Sequence, residues 1–453
     1  MQVRLLSLLS DMATYQDREA FIPYRRSDLI ELCLDDGQLP NDKVQQFREF
    51  CTLLSAYYHF KFHAYLERLK DNYDPFNPDA DTQSRIELTP DKLAEREANV
   101  VTDFQTILER ANYVPLSPNS LQRAFKEKSL IQLKTDVDFD EFGQLVCYCR
   151  GDYEKTIQVK KFLKKKDKTI NLFERVVLLI KFKDADYFKY KGDELDSLQF
   201  TPGKMYLYFY KNIPKFDLEL LFPNIKISMT WKDRLFLIVP AIGAAIPVIL
   251  RVLPKLLVVI AAILFFTMGP SVLDTIQASE EDVRDIMPVL VAVLSLLVTL
   301  GGFAYKQYSN YKSKQIKFRQ TVTETLFFKN MANNASVFHA LIDAAEEEEC
   351  KEIILVYYHL LISQNPLTPA QLDNRIESWM DNKFGTKIDF DINGPIHNLE
   401  NIRGKLMQDG KDTASLPEIP LLTKDKRGCC QVLPLNDAKR LIDYIWDHIF
   451  LYT

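Results

Sequence analysis

Side chains able to ligate a metal or move a proton recur at helical spacing in two places. His339, Asp343, Glu346 and Cys350 stand at i, i+4, i+7 and i+11, which at 100° per residue keeps them within about 60° on one side of a helix. At 1.5 Å per residue the ends of that stripe lie roughly 16 Å apart, so two or three of the four could share one ion and another element would complete the shell. The same stripe read as a polar face docks against a neighbouring domain, which is the expectation, or meets water. His59, His63 and Glu67 form a second set at four-residue spacing. It is either a set of converging ligands or a polar stripe beside the aromatic one formed by Phe47, Phe50, Leu54, Tyr58 and Phe62.

Other chemistry-bearing residues carry weaker signals. Cys147 and Cys149 fall on one face of an expected strand, where buried cysteine acts as a small apolar residue. Cys429 and Cys430 are adjacent near an expected turn, and pooling the four thiols needs a contact that spacing does not supply. Lys160, Lys161, Lys164, Lys165, Lys166 and Lys168 form a basic run that either touches anionic headgroups or is a solvated hairpin tip. The sequence contains no phosphate-binding glycine loop, no nucleophile elbow and no zinc-protease helix motif. With 14 glycines in 453 residues, an ATPase or dinucleotide enzyme is not expected, and no cofactor is predicted.

Charged residues at 26% and hydrophobic ones at 47% are those of ordinary globular protein, so sizeable cores can form. The net charge of −5 gives no reason to expect nucleic acid. Seven scattered cysteines show no disulfide framework and suit a reducing compartment. The N-terminus reads as neither signal nor transit peptide.

Two apolar runs dominate the pattern. Ile286–Tyr305 has no charge over 20 residues, the length of a helix crossing a hydrocarbon core of about 30 Å. Leu235–Leu273 is interrupted by Arg251 and Lys255 and carries Pro240, Pro247 and Pro254. These predict a transmembrane helical hairpin with a broken segment over 235–255 and spans near 256–273 and 286–305; a third span is the rival reading. Arg234, Arg251, Lys255, Lys306 and Lys312 mark one membrane interface, and the loop between the spans is acidic, so both flanking portions face the positive-inside compartment. The simplest setting is a bacterial-type cytoplasmic membrane, with an organelle membrane as the alternative. Ala292, Ser295, Thr299 and Gly302 make a small-residue stripe suited to helix packing.

The elements around the runs suggest an α+β chain. Residues 1–130 read as helical, including a long helix near Asn41–Leu69. Residues 131–232 turn to period two, with strands expected at Leu145–Arg150, Thr156–Leu163, Phe173–Phe182 and Lys204–Tyr210 in a small antiparallel β portion. After the membrane region (233–306) come a helical connector (307–363) and a winged-helix-like C-terminal module (364–453). Residues 366–453 hold 11 Lys and Arg against 13 Asp and Glu, a poor balance for duplex binding and a better one for protein contact.

The segments FIPYRRSDLIELCL, FERVVLLIKF, YKNIPKFDLELLFPNIKISMTWKDRLFL, LFFKNMANNASVFHALIDAAEEEECKEIILVYYHLL, RIESWMDNKFGTKIDFDI and LPLNDAKRLIDYIWDHIF resemble those of the transmembrane protein 143 family. The resemblance covers Arg18 to Phe450, with Lys329–Asn334 its most specific part. It implies an integral membrane protein of unknown function, mitochondrial in the animal member, and carries over no catalytic or ligand residues. The expected function is a membrane-anchored, non-enzymatic interaction or scaffold protein, with the lipid bilayer and a protein partner or second copy as contacts and no nucleic acid. A membrane-associated metal-dependent enzyme and a small transporter or channel component are the alternatives; the absence of acidic or histidine residues in the runs weakens the latter.

Overall fold

The computed structural model describes residues 20–82, 88–117, 121, 134–161, 164–228, 280–385, 387–406 and 417–451. The helices, in order, are α1 (Arg26–Asp35), α2 (Asn41–Tyr73), α3 (Pro90–Arg110), α4 (Ala185–Lys191), α5 (Glu280–Lys329), α6 (Ala335–Leu361), α7 (Pro369–Phe384), α8 (Asn393–Asn401) and α9 (Leu435–Asp447). The strands are β1 (Val114–Pro115), β2 (Lys134–Asp136), β3 (Phe142–Lys161), β4 (Lys164–Phe182), β5 (Met205–Pro214), β6 (Lys226–Ser228), β7 (Asn330–Asn333), β8 (Arg403–Gly404), β9 (Ile419–Pro420), β10 (Leu422–Lys424) and β11 (Cys430–Val432). Two compact units result: Met1–Glu127 with Phe139–Leu218 and Lys329–Thr453, and Lys128–Asp138 with Glu219–Phe328.

The first unit is built on a five-stranded antiparallel sheet, ordered β1-β3-β4-β5-β7. Its middle reads ERVVLLIKF, and Val176 to Ile180 are all fully buried, as a continuous apolar strand covered on both faces must be. The expected strand pairs merge into one long hairpin, because β3 and β4 stay paired from Phe142↔Phe182 to Lys161↔Lys164. The edge strand β7 comes from the Lys329–Asn334 segment, which lacks the period-two pattern of a strand. Asn334 ends it with φ of 48° and ψ of −130°. Its Oδ1 accepts the backbone N–H of Leu207 at 3.1 Å and its own N–H donates to Leu207 O at 2.9 Å. A side chain thus continues the ladder by one step where the backbone turns away.

Helix α6 is the centre of this unit. Phe338, Leu341, Ile342 and Ala345 are buried, as their spacing requires, and from Ala345 to Leu360 the enclosure extends round most of the helix. Helix α2 runs antiparallel to it: Phe50 stacks on Tyr357 with centroids 4.1 Å apart, while Tyr73 meets Phe338 at 5.1 Å. Helix α7 starts on a capping box, with Thr368 Oγ1 accepting from Gln371 N–H and Gln371 reaching back to Thr368 N–H. Helices α7, α8 and α9 and the β10–β11 hairpin complete this part of the chain, and Leu367 bridges Cys430.

In the second unit β2 pairs β6 antiparallel, and Asn224 Nδ2 donates to Asp138 O at 2.9 Å. Its long element is α5. Here the membrane expectation is corrected. Ile286–Tyr305 is not a bounded span but the interior of one continuous 50-residue helix. At 1.5 Å per residue that helix is about 75 Å long, well over twice the hydrocarbon thickness, and it passes without a break through Lys306 and Lys312. Among the described residues no helix is long and apolar enough to cross a membrane. The transmembrane fold, the membrane description and the cytoplasmic- or organelle-membrane location inferred from it therefore give way to an α+β chain with an antiparallel sheet. Leu235–Leu273, with Arg234, Arg251 and Lys255, lies outside the described residues. Ser295 and Gly302 are exposed on α5, as are Lys306 and Lys312, while the side chains of Ala292 and Thr299 lie outside the description.

Candidate functional site: a buried ionic cluster on α6

The run Glu346–Glu352 (EEEECKE) occupies nearly two turns in the middle of α6, so its charges point in every direction round the helix. Because α6 is enclosed there, Glu346, Glu348, Glu349, Lys351 and Glu352 are all buried. Carboxylates in such a place must be paired, hydrogen-bonded or protonated. Each of the five glutamates of the run finds a partner outside α6.

Glu346 and Glu347 hold the start of α1. Arg26 Nη1 lies 3.4 Å from Glu346 Oε1, and the Arg26 N–H donates to Glu347 Oε1 at 2.6 Å. Glu346 Oε2 is also 2.9 Å from His59 Nδ1 on α2. Glu348 accepts the Ile22 N–H at 3.3 Å and pairs with Lys351 Nζ at 2.6 Å; Lys351 in turn donates to Ile22 O at 2.7 Å. Phe21 caps the arrangement, with Arg150 4.0 Å and Lys351 4.9 Å from its ring centre. Glu349 Oε1 is 3.3 Å from Arg110 Nε at the end of α3, and Glu352 accepts from Asn112 Nδ2 at 2.9 Å. Asn112 adopts φ of 60°, and the same amide also donates to Ala20 O at 3.3 Å.

Burial pushes the carboxyls of Glu348 and Glu349 up, against the pull of Lys351 on one and of Arg110 and Lys61 on the other. Burial raises Glu352 further, because only the Asn112 amide and no cation answers it. Cys350 is pushed up to about 12 by burial, although Arg26 opposes the shift, so it is a packed thiol and not a nucleophile. Glu349 Oε2, Tyr58 Oη, Tyr113 Oη and Arg110 Nη1 are buried with no hydrogen-bond partner. Farther along α6, His359 is 1% exposed, both its ring nitrogens lack partners, and burial followed by nearby Arg375 drives it down to about 3. It packs edge-on to Tyr358 and Trp379 as a neutral aromatic.

The first expected stripe therefore divides. His339 and Asp343 are exposed, whereas Glu346 and Cys350 are enclosed beneath Arg26. Asp343, on the face expected to dock, is exposed. Of the second stripe, His59, His63 and Glu67 are all exposed. The antiparallel packing of α2 on α6 nevertheless brings the stripes together. His59 meets Glu346, and Glu67 is held below the usual carboxylate range first by Lys70 and further by the charges of His63 and His339. Among the described residues no group of three or more His, Cys, Asp or Glu side chains could hold a metal ion. Cys147, Cys149 and Cys430 are buried free thiols, and Cys429 is partly exposed. An open cleft of about 520 Å³ lies among Glu67, Lys70, Asp71, Asp74 and Arg96; its charged lining offers no apolar floor of the kind that buries a small ligand.

The cluster was hidden from pattern reading by its type: an acidic run is ordinarily a solvated face. The available signal was angular. Seven consecutive residues, six of them charged, cover every side of a helix whose flanks, VFHALIDAA and IILVYY, are mainly apolar.

Comparison with known proteins places a model for a protein of unknown function, DUF3754, on residues 173–336, less than half of the chain. The match runs from β4 to the first residues of α6 and stops before the acidic run. No solved structure matches the chain.

Proposed function

We propose that this protein is a non-enzymatic interaction or scaffold protein, in which α6 and its ion pairs build a rigid body that carries the β3–β4 ribbon as a contact element. The observation that supports this most is that each of the five glutamates of the run, four of them buried, ties α6 to another segment: the chain at Ile22, α1, α2, α3 or Asn112. Carboxylates committed to cross-linking elements are the opposite of a general acid or base free to meet a substrate in a cleft. Among the described residues the outer half of the ribbon has no third strand, since β5 pairs with β4 only as far as Leu172↔Pro214.

Complementation in cells lacking the gene tests the reading. Glu349→Gln and Glu352→Gln should restore the wild-type phenotype, whereas a chain in which residues 155–169 are replaced by a short turn should fold with unchanged Tm and fail to restore it. Loss of rescue by Glu349→Gln at unchanged Tm would instead favour an enzyme, and rescue by the shortened chain would remove the ribbon from the account.

A further inference from the structure

Three cations stand abreast on the sheet of the first unit. Arg150 on β3 pairs with Arg175 on β4, and Arg175 pairs in turn with Lys211 on β5. Rung partners share a face, and like charges directly opposite destabilise a sheet. Lys211 is exposed to water, and Arg175 has an acid at hand, its Nη1 lying 3.1 Å from Glu174 Oε1. Arg150 has neither relief. Elsewhere in this unit Lys351, Arg110 and Lys215 each lie on a carboxylate. Arg150 makes no hydrogen bond or ion pair with any described residue, and its Nε is buried without a partner. Glu348 feels its charge but is already bonded to Lys351 and to the Ile22 N–H.

What holds Arg150 is aromatic. Its guanidinium lies 4.0 Å from the ring centre of Phe21 and 4.9 Å from that of Tyr113. Ring contacts use the face of a guanidinium and leave its edge, where the N–H groups point, for an acceptor. Tyr113 is 4% exposed, and its hydroxyl is a second buried group with no partner. Burial raises the pKa of that hydroxyl; Arg150 and Arg175 oppose the shift, while Glu174 and Glu348 add to it, so these four charges act on one place. With Lys211 in the same row and Lys351 on Glu348, four cations meet two carboxylates there, an excess of two. Asp152, two residues beyond Arg150, does not redress it, being taken by Lys215 at 2.7 Å.

We propose that Tyr113, Arg150 and Arg175 form a binding site for a phosphate group, with Arg150 presenting the edge of its guanidinium and Tyr113 donating its hydroxyl. This goes beyond the interaction role and gives the rigid body a small ligand. The unanswered groups at the site are donors, so the ligand must be an acceptor, and a guanidinium edge matches two oxygens of one oxyanion. A carboxylate would bring one negative charge; a phosphate monoester brings about 1.5 to 2 at pH 7, closer to the local excess. Lys211 and the partly exposed Arg175 mark the side open to solvent.

Calorimetric titration of the full chain at constant ionic strength tests the site, with inorganic phosphate and glycerol 3-phosphate as probes and acetate as the control. At least one of the two phosphates should bind one to one and raise Tm in a saturable manner. The tighter of the two shows whether the ligand is the free ion or a phosphate ester. Tyr113→Phe keeps the ring beside Arg150 and removes one donor to a charged ligand, so it should weaken phosphate binding about tenfold without lowering the Tm of the ligand-free chain. Arg150→Lys keeps the charge, loses the two-pronged edge and should weaken binding by a similar factor. Lys189→Gln, at an exposed lysine of α4, should bind as the wild type does. No saturable binding of either phosphate at millimolar concentration, acetate binding as tightly as phosphate, or equal phosphate affinity in the wild type, Tyr113→Phe and Arg150→Lys would each overturn the proposal.

Discussion

At the residue scale, the groups that bear on stability are the buried ones whose ionisation the fold resists. Glu352 is neutral in the folded chain over a range in which the unfolded chain ionises it, so folding takes up a proton there. Stability from this group is full below the unfolded carboxylate range and is lost as pH rises toward the raised folded value. Glu352→Gln keeps an acceptor for Asn112 Nδ2 and removes the titration. Its Tm should exceed that of the wild type at pH 8 and converge on it near pH 4, with a difference that grows by up to about 1.4 kcal/mol per pH unit. A Tm difference independent of pH would mean that Glu352 does not titrate with folding. His359 has the opposite sign. Its folded value near 3 lies below that of the unfolded chain, so stability is present above about pH 6.5 and is lost as pH falls. His359→Phe fills the same aromatic site between Tyr358 and Trp379 and leaves no unpaired nitrogen. Thermal melts should show the variant gaining on the wild type steadily from pH 7 to pH 4.

At the element scale, the ion pairs of α6 act as clips on segments that have little other reason to lie where they do. The chain from Ala20 to Arg26 has no helix or strand before α1, yet Glu348, Lys351, Glu347 and Asn112 take up its backbone groups. Glu348 and Lys351 are each 2% exposed, and removing one partner of a buried pair typically costs about 3–5 kcal/mol. Lys351→Met should therefore lower Tm, less at pH 5 than at pH 8 because an abandoned Glu348 can protonate. It should also open the chain around Ile22 to protease. Adding Glu348→Gln, which still accepts the Ile22 N–H, should recover most of the loss. A double variant no better than the single one would show that Lys351 acts through Ile22 O and Phe21, not through Glu348.

At the scale of the whole molecule, the first unit draws on three separated stretches of chain, and α6 is where they meet. Its main hydrophobic cluster is laid down by aromatic residues of α2 and α6 and by residues from the apolar middle of β4, and it includes no residue of the outer half of the ribbon. Because that cluster takes nothing from residues 155–169, shortening the ribbon should leave Tm unchanged.

Periodicity alone was enough for the elements whose surroundings are uniform. The apolar and aromatic positions of α2 recur at 3.6 residues because one face is buried along the whole helix, and β4 reads as a strand because both its faces are. The Thr-Pro pairs at Thr89 and Thr368 mark helix starts because capping is decided within four residues. Wherever the answer depends on what lies opposite, pattern was not enough. Lys329–Asn334 becomes an edge strand only because β5 presents an unpaired edge to it. The charge-free Ile286–Tyr305 run had no way to show that its helix continues to Lys329. His339 and Cys350 share one helical face in sequence yet differ wholly in environment, because α1 and the Ala20–Arg26 chain cover one end of α6 and leave the other open. Side-chain angle on a helix is a local property, settled by backbone geometry; burial is set by other segments, which tertiary packing alone brings into place.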